Sequence, residues 1–162
     1  MAGLLSNLID SLTEQKQYYT ELTLISEEKR KVIINNDLDN LSDFTTVENV
    51  LISKNEKLEK RLEEIMKDVG IVLNIKPDEL TVSKIASVIN NEKDKEDLLS
   101  LTRDLSELAV VLKKHNNANK ELLDNAIEYI QFSMNVLTNA DAKDDARNIL
   151  KQAKKGKINH KK

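Results

Sequence analysis

The chain has 162 residues, no cysteine, two histidines, 3% aromatic and 33% charged residues, and a formal net charge of −3. These figures exclude disulfides and thiolate metal sites, and they suit helices joined by thin apolar seams better than a thick globular core. One proline and three glycines leave little punctuation for a sheet-rich fold.

The first predicted helix runs from about Leu4 to Ile34. Leu5, Leu8, Leu12, Gln15, Tyr19, Leu22 and Ser26 fall on one seam, with Glu and Lys assigned to the remaining face. Asn35, Asn36 and Asp37 interrupt it, because their side chains compete for backbone amides, and Asp37 is placed to cap the next helix. That second helix extends from about Leu38 to Val69 on Leu41, Phe44, Glu48, Leu51, Asn55, Leu58, Leu62, Ile65 and Val69. Gly70 is its expected terminator, and Ile71 to Leu80, with the only proline, is the expected linker.

Thr81 is placed to cap a short helix through Asn90, with Leu80 and Ile85 at the positions of a hydrophobic staple. Asn90 to Asp94 make a turn, and Glu92, Asp94, Glu96 and Asp97 lie where the positive end of a last, long helix favours acids.

That helix, from about Lys95 to Asn139, carries a seam that changes character. Leu98, Leu101, Leu105, Leu108 and Leu112 alternate steps of three and four, and the same spacing then meets His115 and Asn119 before Leu122, Ala126, Tyr129 and Val136. Beyond Asn119 the apolar face widens with Leu123, Ile127, Ile130, Met134 and Leu137. Helices of roughly 31 and 32 residues are shorter than one of about 45, so the long helix is expected to overhang by about 20 Å and keep a bare apolar strip. A strip of Leu, Ile and Met at helical spacing is suited to accepting an amphipathic helix.

Charge is unevenly spread: residues 1–146 carry −10 and residues 147–162 carry +7. An acidic body argues against nucleic acid as a partner, since phosphate attraction dominates that affinity. The basic segment 140–162 is expected to be a solvated, flexible tail. Residues 1–12 contain Asp10 and no basic residue, unlike a secretory signal, and no run is long enough for membrane insertion, so the cytoplasm is the expected compartment.

No catalytic constellation stands out. His115 is a lone histidine on a helical seam and His160 lies in the tail, which does not make a zinc site. Gly3, Gly70 and Gly156 are isolated, so no glycine loop cradles phosphate, and neither a cofactor nor enzyme activity is expected. The expected fold is all-α, an elongated, coiled-coil-like antiparallel bundle of three long helices and one short one over residues 1–139.

The order of parts carries a resemblance. Two long helices joined at Asn36-Asp37-Leu38-Asp39-Asn40-Leu41, a linker, a short helix, then Leu101-Thr102-Arg103-Asp104-Leu105 leading to His115-Asn116-Asn117-Ala118-Asn119-Lys120-Glu121-Leu122-Leu123 resemble the FlgN-type flagellar export chaperones. The resemblance covers roughly residues 5 to 138. It implies a bacterial cytoplasmic chaperone that binds C-terminal helices of the flagellar hook-associated, or hook–filament junction, proteins and delivers them to the type III export apparatus, with its export gate or ATPase as further partners. Carried onto this chain, it implies a partner-binding set of Asn116, Asn119, Leu122 and Leu123, extended by Ala126, Ile127, Ile130, Met134 and Leu137. The chain departs from the family where Val47-Glu48 stands in place of a frequent Glu-Lys pair, and the segment from Ala140 on is assigned no counterpart in it. The competing class is a coiled-coil scaffold or adaptor that forms a homodimer through the same apolar face.

Overall fold

The computed structural model describes residues 2–137 and, within them, all side chains but those of Tyr129, Ile130, Ser133, Val136 and Leu137. The described residues form an all-α bundle: α1 (Ala2–Ile34), α2 (Leu38–Leu73), a 3-10 turn (Pro77–Glu79), α3 (Val82–Val88) and α4 (Glu92–Leu137). The expected three long helices and one short one are all present. The basic tail expected over residues 140–162 lies outside the described residues.

Asparagine closes both helices of the N-terminal hairpin. Asn36 adopts a φ of 55°, and the Asn36 N–H donates to Ile33 O at 3.1 Å while the Asp37 N–H donates to Val32 O at 2.9 Å. This paired closure needs a residue that tolerates the left-handed region, which the short amide side chain does. Asp37 then caps α2 as its sequence position predicts, with Oδ1 accepting the Asn40 N–H at 3.3 Å.

The far end of α2 differs from expectation. The helix runs through Gly70 to Leu73, because Asn74, with a φ of 56°, supplies the same closure: its N–H donates to Ile71 O at 3.2 Å and the Ile75 N–H to Gly70 O at 2.9 Å. Gly70 serves packing instead. A Cβ there would lie 3.1 Å from both terminal carbons of Leu80, so the bare α-carbon is what admits the returning chain.

The connection that follows is more ordered than a plain linker. Pro77 opens the 3-10 turn, and Thr81 Oγ1 accepts the Lys84 N–H at 3.0 Å to cap α3. This helix stops at Val88, short of the expected Asn90. Asn91 Oδ1 accepts the Asp94 N–H at 3.1 Å and starts α4, with Glu92 and Asp94 in its first turn, where the helix dipole favours acids.

The chain divides into two compact units. The first combines residues up to Thr20 with Ser53–Val110. Its interior is largely apolar: Leu8, Leu58, Val69, Ile85 and Leu98 are completely buried, and Leu80 packs against the cluster that contains Ile85. Glu14 pairs with Arg61 at 3.5 Å, while Asn55 and Glu59 act on Tyr19, so α2 runs antiparallel to α1.

The second unit combines Glu21–Ile52 with α4 from Val111 on. Its apolar cluster is smaller, with Ile33, Leu41 and Leu123 buried and Val32, Leu38, Leu122 and Ile127 packed against them. Polar groups fill much of the rest. Thr23, Ser26, Lys29, Thr45, Glu48, Asn116 and Asn119 are all buried here, whereas Ser11 is the only buried polar side chain among the described residues of the first unit. Within this unit α2 is antiparallel to α1 and α4 parallel to it, as Lys29 with Glu48, Ser26 with Asn119 and Ile33 with Leu123 establish.

Candidate partner-binding surface

The site predicted on α4 lies entirely in the second unit, and its residues fall into three groups. Asn116, Asn119 and Leu123 are buried at 2%, 1% and 0% exposure. Leu122, Ala126, Ile127 and Met134 are half-buried. The side chains of Ile130 and Leu137 lie outside the described set, although both positions continue α4.

Leu123 therefore does not lie on the bare strip that the sequence leads one to expect. The tip of the α1–α2 hairpin covers it through Ile33 and Leu41, and Leu122 and Ile127 flank this contact. Past Ile127, α4 continues for about 15 Å at the rise of a regular helix. Phe132 lies on that stretch at 70% exposure. The strict spacing of the leucine seam falls on Ser133 rather than on Phe132 at this turn.

The polar floor beside the cluster is tied to α1. Asn119 Nδ2 donates to Ser26 O at 2.8 Å, which fixes the amide orientation, because a carbonyl oxygen accepts only from the nitrogen side. Ser26 Oγ donates to Thr23 O at 2.7 Å and lies 3.0 Å from His115 Nδ1. The hydroxyl has one proton, already directed to Thr23, so His115 Nδ1 carries a hydrogen and donates. The lone seam histidine is thus an ordinary hydrogen-bonded partner of α1. Among the described residues, no group of three or more His, Cys, Asp or Glu side chains is arranged to hold a metal.

The deepest element of the unit is an ion pair. Lys29 Nζ lies 2.9 Å from Glu48 Oε1, with both side chains completely buried. Glu48 is legible in the sequence as a seam residue, but Lys29 is not, having been assigned to the exposed face. The missed signal is the spacing Leu22, Ser26, Lys29, Ile33, which carries the α1 seam on in steps of four, three and four. Beside this interior, between α1 and α4, is a groove of about 480 Å³ lined by Ser26, Glu27, Arg30, Lys31, Ile34, His115, Ala118 and Asn119. Ile34 stands 59% exposed at its edge.

The described residues thus form a helical protein with exposed apolar side chains on its longest helix and a partly polar buried seam. The FlgN protein family model matches residues 1–151, past Ala140 where the sequence alone offers no counterpart, and the chain belongs to this family of flagellar export chaperones. Neither a curated protein nor a solved structure matches the chain. No described helix is long and apolar enough to cross a membrane.

Proposed function

We propose that this protein works in the bacterial cytoplasm, where it binds the C-terminal helical segments of flagellar hook-associated proteins, the hook–filament junction proteins. It holds them unassembled and delivers them to the type III export apparatus, where the export gate or ATPase receives the complex. Membership of the FlgN family supports the chaperone role. The observation that carries the surface assignment is the last part of α4, where Ala126, Ile127 and Met134 are half-buried and Phe132 is exposed.

An amphipathic client helix lies along this face in the proposed complex, with Leu122, Ala126, Ile127, Ile130, Met134 and Leu137 at helical spacing as its contacts. Asn116, Asn119 and Leu123 form the buried end of the same surface. Export requires release, and an interface that mixes apolar anchors with amides is more readily parted than a dry core.

The test is to mix the full chain with a synthetic peptide covering the terminal helices of a junction protein and to measure mass by light scattering. A 1:1 complex is expected. Phe132→Asp and Met134→Asp should weaken it with helical content unchanged. No complex at micromolar concentrations, or a stable homodimer indifferent to the peptide, would instead assign the face to a scaffold.

A further inference from the structure

Three of the residues assigned to the client surface are covered by the chain itself, and this coverage has an unusual composition. The α1–α2 hairpin lies on Leu123 through only a small apolar cluster. Of the fourteen buried residues described in this unit seven are polar, among them a buried ion pair and two asparagines, with Leu22, Leu51, Ile52 and Leu112 buried beside them. The Oδ1 atoms of Asn116 and Asn119 are both buried without a hydrogen-bond partner among the described residues. The first unit has no completely buried ion pair among its described residues and one such acceptor, Asn55 Oδ1, and it packs on a larger apolar cluster. Apolar burial is the dominant force for closure, and a buried acceptor without a partner opposes it. The second unit is therefore the half of the chain in which closure is held least firmly.

From this we infer that the second unit opens as a body: α4 from Val111 on parts from the α1–α2 hairpin and presents Leu112, Asn116, Asn119 and Leu123 to the client, whose amphipathic helix takes the place of the hairpin. The inference rests on the client-binding role proposed above and specifies how the covered part of that surface is reached. Opening exposes amide, hydroxyl and charged groups, which water solvates, together with apolar side chains such as Leu112 and Leu123. The incoming helix meets a face that already accepts a helix carrying Ile33 and, across the turn, Leu41. The seam asparagines then select a client with donors at matching positions, since each offers an acceptor oxygen there.

Hydrogen exchange followed by mass spectrometry on the full chain decides the opening without any client. Amides of residues 38–52 in α2 should exchange together, about tenfold or more faster than those of residues 58–69 in the same helix. Equal protection of the two stretches overturns the proposal. On addition of the junction-protein peptide, α4 residues 111–127 should gain protection while residues 21–52 lose it. Gain in both means that the client lies on a closed unit, and also overturns it.

A cross-link supplies the second arm. The chain has no cysteine, so the pair Ser26→Cys and His115→Cys, whose native side chains touch at 3.0 Å, takes a short bismaleimide cleanly. The cross-linked protein should bind the peptide about tenfold or more weakly than the same variant left open, because the closed state no longer exchanges with the competent one. Equal binding refutes the opening. If neither form binds, while exchange still shows the second unit opening, the client assignment has failed and with it the uptake step. A dimer in the uncross-linked sample would assign the uncovered face to a second copy's hairpin and overturn the proposal.

Discussion

Lys29 Nζ and Glu48 Oε1 stand 2.9 Å apart with neither side chain exposed, so one position on α1 and one on α2 are bound by opposite charges inside the second unit. Taking two charges out of water costs several kcal/mol per ion, roughly, and the mutual attraction repays it only when both partners are present. Lys29→Met alone, or Glu48→Leu alone, should therefore lower stability by about 3–5 kcal/mol, because each strands the other charge. The double variant should fall between no change and a gain of about 4 kcal/mol. Urea unfolding of the three variants checks this, and a double variant as unstable as either single one would contradict it.

Leu123 is completely buried against Ile33 and Leu41, whereas Met134 is only half-buried. Truncating the first should be felt in the fold: Leu123→Ala is expected to cost about 2–5 kcal/mol. Met134→Asp should leave the urea midpoint nearly unchanged and reduce peptide affinity. The reverse ordering of the two stabilities would move the boundary between interior and client face.

Burial raises the Tyr19 phenol above its usual 10.0, the Glu59 carboxylate adds to the rise, and a hydrogen bond with Asn55 opposes both. A folded-state value above the unfolded one means that the neutral phenol is favoured by folding. Its contribution is whole below pH 10 and disappears as the pH climbs through the folded value. Phenolate absorbance during alkaline titration should thus lose its late component in Tyr19→Phe. Loss of an early component, below the usual phenol range, would reverse the sign.

Asn36 and Asn74 end their helices with φ of 55° and 56°. Alanine at either position should destabilise by about 1–2 kcal/mol, since a Cβ without a compensating polar group disfavours this region, and glycine should be tolerated. Thermal unfolding of Asn36→Ala beside Asn36→Gly is the direct comparison. Identical midpoints would mean that the turn relaxes to another geometry.

Much of this architecture is written in local signals. Leucine spacing marks the seams of all three long helices, Asp37 and Thr81 announce their caps, and the acids before Asp97 announce the start of α4. What escapes is whatever depends on a partner distant in sequence. Lys29 reads as a surface residue until Glu48 is opposite it, and Leu123 reads as exposed until the hairpin tip reaches it. Gly70 reads as a stop signal because glycine so often ends helices, yet Leu80, ten positions on, is the reason for it. Phe132 escapes because the strict alternation of the seam meets Ser133 at this turn, although Phe132 stands three residues after Tyr129 and four before Val136.

The missing side chain at position 70 has a reach beyond its own helix. Leu80 rests against that α-carbon and also packs against the cluster containing Ile85, Ala86 and Ile89, so the seat of α3 is set by one hydrogen atom on α2. A Cβ at that position would press on the end of the Leu80 side chain, which must give by a few tenths of an ångström to admit it.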